Sequence, residues 1–374
     1  MSSVLSYLKE AEQQILSDLE RVVRAESPTH DKAAVDHCGD VFQELFHRYL
    51  GLSADVIPMK ETGNQLRYTI GDGPEQILIT GHIDTVWEKG RLSFRTEGNR
   101  AYGPGILDMK GGNIQALWAL RALREVGLPL NKKIVFLLTS DEETGSDTSR
   151  ALIEEEARKS VAVLVPEPAV AHTGALKTAR KGVGHYQLAI KGKAAHAGNH
   201  HEDGISAIQE MALQIIDLHA LTDYAKGTTV NVGIASGGNR TNVVAEHALL
   251  DIDVRITSMA EAERIQKAVL GAVPKLDGIT LKASGALNRP PMERTAETAR
   301  LFELASQCGE QLGFTLTEAA AGGGSDGNFT AALGIPTLDG LGSVGDGPHA
   351  EYEHILIDQL APRSALLAHL LAKL

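Results

Sequence analysis

His82 and Asp84 stand two residues apart at the end of the apolar run Ile77-Leu-Ile-Thr-Gly-His-Ile-Asp-Thr-Val-Trp87. On an extended chain that spacing sends both side chains out of the pleat on the same side. An imidazole that ligates a metal commonly gives its other ring nitrogen to an acid, so the pair could be a ligand and its orienting partner. Alone, a His-x-Asp pair is as readily a satisfied surface pair. Repetition gives it weight. The run Lys133-Ile-Val-Phe-Leu-Leu-Thr139 stops on Ser140-Asp-Glu-Glu-Thr-Gly145, and the run 161–165 stops on Pro166-Glu167-Pro168. Three acids together at the carboxyl end of a buried strand repel one another unless a cation neutralises them. Asp108 lies in Ala101-Tyr-Gly-Pro-Gly-Ile-Leu-Asp-Met-Lys-Gly-Gly-Asn113, just before a helix, where by itself it would read as a cap. His349 sits in the late loop Pro348-His-Ala-Glu351.

Six groups therefore stand at comparable places: His82, Asp108, Glu142, Glu143, Glu167 and His349. Imidazole and carboxylate without thiolate suit Zn²⁺ or a neighbouring first-row metal at a catalytic rather than a structural site. Five ligands are too many for one tetrahedral ion with an open position. They suit two ions about 3.5 Å apart that share one bridging carboxylate. The sixth group, one of the two adjacent glutamates, is then free to take and return a proton.

Strands alternating with helices must bring these groups together. Apolar side chains at helical spacing over 2–24 predict an amphipathic helix, and Ser27-Pro28-Thr29-His30 separates it from a second helix over 31–50. His30, His37 and His47, on or beside that second helix, read as surface histidines. Short extended runs follow at 54–59, 65–70 and 76–80, then a helix over 115–126 and strands over 133–139 and 161–165. Polar groups at strand ends in such a pattern mark an open α/β sheet, whose ligands bind outside the carboxyl edge. From Lys177 the pattern changes to strand 184–191, helix 204–221, strands 228–235 and 248–256, helix 259–273 and strand 279–283. That βαββαβ order is the ferredoxin-like split unit. The expected division is thus 1–176 with 290–374 as one α/β domain and 177–289 as an insertion, the first pattern resuming with a helix from about 297 to 312.

Composition narrows the classes. At 374 residues two domains are the natural prior. A formal net charge of -12 offers no basic stripe for phosphates, so neither nucleic acid nor an anionic membrane is expected as partner. No apolar run approaches the ~20 residues of a membrane span. Cys38 and Cys308 are isolated thiols, and no basic segment followed by a long apolar one opens the chain, so a cytoplasmic protein is expected.

The segments Gly81-His-Ile-Asp-Thr-Val, Ala101-Tyr-Gly-Pro-Gly-Ile-Leu-Asp-Met-Lys-Gly-Gly, Ser140-Asp-Glu-Glu-Thr-Gly-Ser, Gly192-Lys-Ala-Ala-His-Ala-Gly and Gly322-Gly-Gly-Ser-Asp resemble, in order, the M20 family of di-zinc metallopeptidases. The nearest likeness is to glutamate carboxypeptidases of the carboxypeptidase G type. The resemblance implies one zinc on His82, Asp108 and Glu167 and a second on Asp108, Glu143 and His349, with Co²⁺ or Mn²⁺ as substitutes. It implies that Asp84 orients His82 and that Glu142 is the general base. The insertion then becomes a lid that also forms a homodimer contact. In it His196, Asn242 and Arg255 would meet substrate or its developing oxyanion, His196 from the partner subunit. Arg289 would bind the substrate carboxylate, with Gly324 and Ser325 also at the substrate. By residue type alone Asn242 could equally be a turn residue, Arg255 an exposed strand charge and His196 a loop histidine. Asn199-His200-His201-Glu202 departs from the family, which often has a proline before that glutamate, and this bears on the lid loop and not on the metals. The implied activity is release of a C-terminal amino acid, glutamate foremost, from an N-acyl or peptidyl group. A deacylase of acetylornithine or succinyl-diaminopimelate type and a dipeptidase are the alternatives, and a metal-binding protein without activity is a remote one.

Overall fold

Gln76–His82 is buried along its whole length, as a strand covered on both faces must be. In the computed structural model, which describes residues 3–374, it runs parallel to Lys133–Thr139 on one side and to Ser160–Leu164 on the other. Thr337–Leu338 extends the sheet beyond Ser160–Leu164, again parallel. On the other side Gln65–Ile70 and Asp55–Ile57 complete six strands, each antiparallel to its neighbour. The two-residue period of the strands feeds two cores. Ile77, Ile79, Ile134, Phe136 and Leu138 join the larger one with Trp118, while Leu78, Val135, Leu137 and Val163 face the other way onto Ile153, Ala157 and Phe329.

The sequence reading did not expect helices Arg150–Arg158, Gly327–Ala332 and Leu360–Lys373, and two of the helices it did expect differ near the site. The stretch expected as one helix over 2–24 is two, Ser3–Glu10 and Glu12–Arg24, an interruption that no breaker residue explains. The helix expected from 115 begins earlier, at Gly111–Val126, because Gly111 and Gly112 belong to its first turn. A side chain on Gly112 would start 1.7 Å from the Pro166 carbonyl oxygen, so glycine is required there for close approach of helix and strand end. Lys32–Leu50 is capped by Asp31, whose carboxylate accepts from the Ala34 N–H.

The chain divides into two units: residues up to Ala179 with Arg294–Ala321 and Ser325–Leu374, and Arg180–Glu293 with Gly322–Gly324. In the second unit, strands Gly182–Lys191, Thr229–Gly237, His247–Ile256 and Thr280–Arg289 form an antiparallel sheet in the spatial order second, third, first, fourth. Its last strand runs to Arg289, well past the expected end near 283. Helices Ala207–His219 and Met259–Leu270, capped by Ser206 and Ser258, lie between strands in the chain. Tyr186, Leu188, Ile190, Leu250, Ile252 and Val254 alternate inward onto a core that includes Leu218, Ile265 and Val269. No helix among the described residues is long and apolar enough to cross a membrane.

Candidate metal centre and active site

Three adjacent parallel strands deliver most of the acidic cluster. His82 ends the central one and is in register with Thr139, just past which come Glu142 and Glu143; Glu167 follows Ser160–Leu164. Asp108 comes from the turn before Gly111–Val126, and His349 from the hairpin loop between Gly345–Asp346 and His354–Leu356. His82 Nε2 lies 3.1 Å from Asp108 Oδ1, 3.6 Å from Glu167 Oε1 and 3.9 Å from Glu142 Oε2. His349 Nε2 lies 3.4 Å from Asp108 Oδ2 and 3.2 Å from Glu143 Oε2. Asp108 thus turns one oxygen to each imidazole. The ligand atoms of His82, Asp108 and Glu143 all fall within 4.8 Å of one another.

Electrostatics agree with a cation site. Burial opposes a charge on His82, yet the Asp108, Asp84 and Glu167 carboxylates hold it well above its ordinary value. Asp108 and Glu143 push His349 up to about 11. Burial also works to raise Asp108, but His349 and His82 outweigh it and hold the acid below the usual carboxylate range. Burial raises Glu143 to about 7, with Asp108 adding repulsion. Two imidazoles kept protonated by surrounding acids report a field that favours positive charge, which a metal would supply in place of protons. Glu143 Oε1 is buried with no hydrogen-bond partner, as a ligand oxygen without its ion would be. The residues fit two ions.

A second ring of contacts fixes these side chains. The resemblance implies that Asp84 orients His82, but the nearest acceptor to His82 Nδ1 is the Asp84 main-chain carbonyl at 3.0 Å, with its carboxylate at 3.4 Å. The buried carboxylate accepts from Thr29 Oγ1 at 2.7 Å and from the N–H groups of Glu142 and Glu143 at 3.3 and 3.2 Å. Asp84 therefore holds the acidic turn as well as the ring. Asn113 Nδ2 donates to the His82 carbonyl at 2.7 Å. Asp108 is not a helix cap; its side chain faces the imidazoles, and its peptide to Met109 is cis. His349 has φ 62, the left-handed region that a histidine rarely occupies and that clusters at functional sites. Sequence reasoning missed Glu353, which is buried beside the Asp108 turn and raised to about 7 by that burial. An acid next to the apolar strand His354–Leu356 was the signal available. His30, His37 and His47 are exposed and stand outside the cluster.

The second unit holds the remaining candidates. His196 is exposed, and its Nδ1 accepts from the Gly198 and Asn199 N–H groups, each at 3.1 Å, which leaves Nε2 to carry the hydrogen and donate. The exposed Asn242 accepts from the Ala197 N–H through its main-chain carbonyl. The Arg255 guanidinium is engaged by Asp253 through two 2.9 Å bonds. Arg289 is buried at the end of its strand, with its Cδ 2.8 Å from where a side chain on Gly324 would begin. Ser325, in the first unit, needs correction as a substrate contact. It is fully buried, its hydroxyl donates to Asp339 at 2.6 Å and accepts from the Gly327 N–H at 3.1 Å, and so it braces its own loop.

Comparison with known proteins yields a consistent group. A model of peptidase family M20/M25/M40 matches residues 78–373. Carboxypeptidase G2 of Pseudomonas sp. (strain RS-16) is 33% identical over 372 residues, which covers 96% of this chain and 89% of that protein. Acetylornithine deacetylase of Buchnera aphidicola subsp. Schizaphis graminum is 25% identical over 366 residues, covering 90% and 92%. Among solved structures, aminopeptidase PepT from Bacillus cereus superposes with a TM-score of 0.80 at 24% identity, covering 97% and 98%, which bears on the fold.

Proposed function

This chain belongs to peptidase family M20/M25/M40, and from that premise we propose that it is a two-zinc exopeptidase releasing a C-terminal amino acid, glutamate foremost, from an N-acyl or peptidyl group. The observation that carries the reading is Asp108 with one carboxylate oxygen toward each of two imidazoles, and Glu142 beside them. His82, Asp108 and Glu167 would hold one ion and Asp108, Glu143 and His349 the other. When bound, such ions supply Lewis acidity that lowers the pKa of water from 15.7 to about 7 and polarises a carbonyl.

The side chains do the rest. Glu142, which is not among the five ligands, takes a proton from water at its carboxylate and returns it to the departing amine. Asp84 sets where that carboxylate stands, because it grips the Glu142 and Glu143 N–H groups. His196 donates from Nε2 to the developing oxyanion, a service whose loss typically costs about 10²- to 10³-fold in rate. Arg289 holds the carboxylate of the released amino acid, and Asn242, Arg255 and the Gly324 main chain line the substrate, Arg255 after exchanging Asp253 for it. We assign the second unit, whose strand and helix order is ferredoxin-like, the roles of lid and homodimer contact. Both cysteines are buried and unpaired, which fits a reducing cytoplasm.

The relation to acetylornithine deacetylase favours one second reading, an N-acyl-amino-acid deacylase with the same metals and base. A substrate panel separates the two. Zinc-loaded protein is assayed on N-acyl glutamates, folyl-glutamate, dipeptides and acetylornithine, beside the Glu142→Gln variant. The reading expects C-terminal glutamate to be the best leaving amino acid. It also expects Glu142→Gln to bind both metals while losing about 10²- to 10⁴-fold in turnover. Preference for acetylornithine would move the assignment to the deacylase, and an active Glu142→Gln would remove its role as base.

A further inference from the structure

Glu353 is buried, and its carboxylate accepts four hydrogen bonds. Oε1 accepts from the main-chain N–H groups of Leu107 at 2.9 Å and Asp108 at 3.1 Å. Oε2 accepts from the Gly105 N–H at 3.2 Å and from the indole Nε1 of Trp87 at 2.7 Å. Three of the four donors lie in the single turn that presents Asp108. A main-chain turn with free N–H groups pointing inward has no fixed orientation of its own, and an anion placed among them gives it one.

The other end of Glu353 holds the second ligand loop. Its own N–H donates to the Ala350 carbonyl at 2.8 Å, and the Ala350 N–H donates to Gly347 at 2.9 Å. These bonds close the loop around His349, whose φ of 62 needs such support. Next to Glu353, His354–Leu356 pairs with Arg100–Tyr102 and with Gly345–Asp346, which anchors the base of the hairpin. One residue thus ties the turn of Asp108 to the loop of His349, whose Nε2 lies 3.4 Å from Asp108 Oδ2.

We propose that Glu353 is a positioning residue for the metal centre, setting the separation of Asp108 and His349 by clamping both loops while touching neither imidazole nor substrate. The inference rests on the two-ion reading above. It assigns to Glu353 a larger effect on the ion held with His349 than on the one held with His82, because His82 is fixed independently by its strand and by Asn113.

Glutamine is the informative replacement. It keeps the length of the side chain but sets an NH₂ against two N–H donors, so half the clamp is lost and replaced by repulsion. The full-length Glu353→Gln protein is titrated with Co²⁺ against a competing chelator, following the visible absorption of each equivalent and the melting temperature of the metal-free chain. The expected result is an affinity for one equivalent weakened about 10- to 100-fold, the range typical for groups that orient metal ligands, with the other changed far less. Turnover should return as Co²⁺ is raised. Trp87→Phe, which removes one donor and leaves the carboxylate, should weaken the same equivalent by a few-fold and serves if Glu353→Gln does not fold. A residue that merely stabilises the fold would lower the melting temperature and weaken both equivalents in step, and that result, or binding within two-fold of wild type in both variants, overturns the proposal. Wild-type protein that took up no metal would sink the two-ion reading and this inference together. Unchanged variants beside a two-ion wild type would sink this inference alone.

Discussion

Protons and metal ions compete for the same side chains at this site. Glu143 titrates near 7 and His349 near 11, with His82 also raised, all above their ordinary values. The protonated forms are therefore the ones that the metal-free fold stabilises. The contribution of Glu143 is present below the ordinary carboxylate range and is lost as pH climbs through about 7. That of His349 is present below about 6.5 and fades only toward 11. Asp108, held low, stays ionised throughout and does not alter the sign. The metal-free protein should thus melt at a lower temperature at about pH 8 than at about pH 6, and metal binding should release protons and tighten over the same interval. Calorimetry of Zn²⁺ binding in buffers of different ionisation enthalpy measures this directly, and an affinity independent of pH with no proton released would contradict it. Of these groups, His82 and Glu143 were legible as polar side chains at the ends of apolar strands, whereas Asp108, which alone reads as a cap, and His349, in a late loop, became candidates only beside them. Glu353 was not legible, since its partners are main-chain N–H groups that leave no trace in side-chain spacing.

At the level of elements, the longer periodic runs were legible, such as the helix beginning at Met259, while the short strands Arg100–Tyr102 and His354–Leu356 near the site were not. Gln65–Ile70 and Lys133–Thr139 coincide with their expected limits, because β-branched and aromatic runs bounded by turn residues have one reading. Gly111 and Gly112 look like loop residues by propensity, yet tertiary packing puts them inside a helix so that it can lie against the chain at Pro166. That contact sets the first turn of the helix, which follows the Asp108 turn, against Pro166, the residue before Glu167. A methyl group at 112 would have to displace the Pro166 carbonyl, from which it would be only 1.7 Å away. Overpacking of this kind costs about 1–3 kcal/mol. Gly112→Ala should show that loss in urea unfolding and a weaker ion at the Glu167 side, whereas Gly127→Ala, in open space at the far end of the helix, should leave metal affinity alone. Equal metal binding by Gly112→Ala and wild type would show that the close approach serves packing only.

On the scale of the whole molecule, the second unit presents a surface that a lone chain leaves uncovered. Thr229–Gly237 is an edge strand of its sheet, with no strand beyond it among the described residues, although the Thr222 hydroxyl meets the main chain of Val230 near its start. Ile234 on this strand is 61% exposed, and on helix Ala207–His219 Ile216 is 67% exposed, with Ile208 and Leu213 also open to solvent. Scattered apolar residues on a surface are ordinary, but an exposed strand edge combined with an apolar helix from the same unit invites a partner. An identical edge on a second copy can pair with it antiparallel about a two-fold axis, so that each residue of the patch meets its counterpart. The βαββαβ order of this unit was readable from periodicity, whereas its uncovered edge was not, because which strand lies outermost depends on a sheet order that no local pattern encodes. We therefore expect a homodimer through this unit. Ile216→Glu combined with Ile234→Lys should yield a monomer in sedimentation at micromolar concentration, with the sheet and its Leu250 and Ile252 core intact by circular dichroism. If His196 acts in the partner's site, the monomer should also lose turnover by about 10²-fold or more while keeping both metals, and mixing it with a metal-ligand variant should not restore it. A double variant that remained dimeric would place the contact elsewhere, and a monomer with full activity would confine His196 to its own chain.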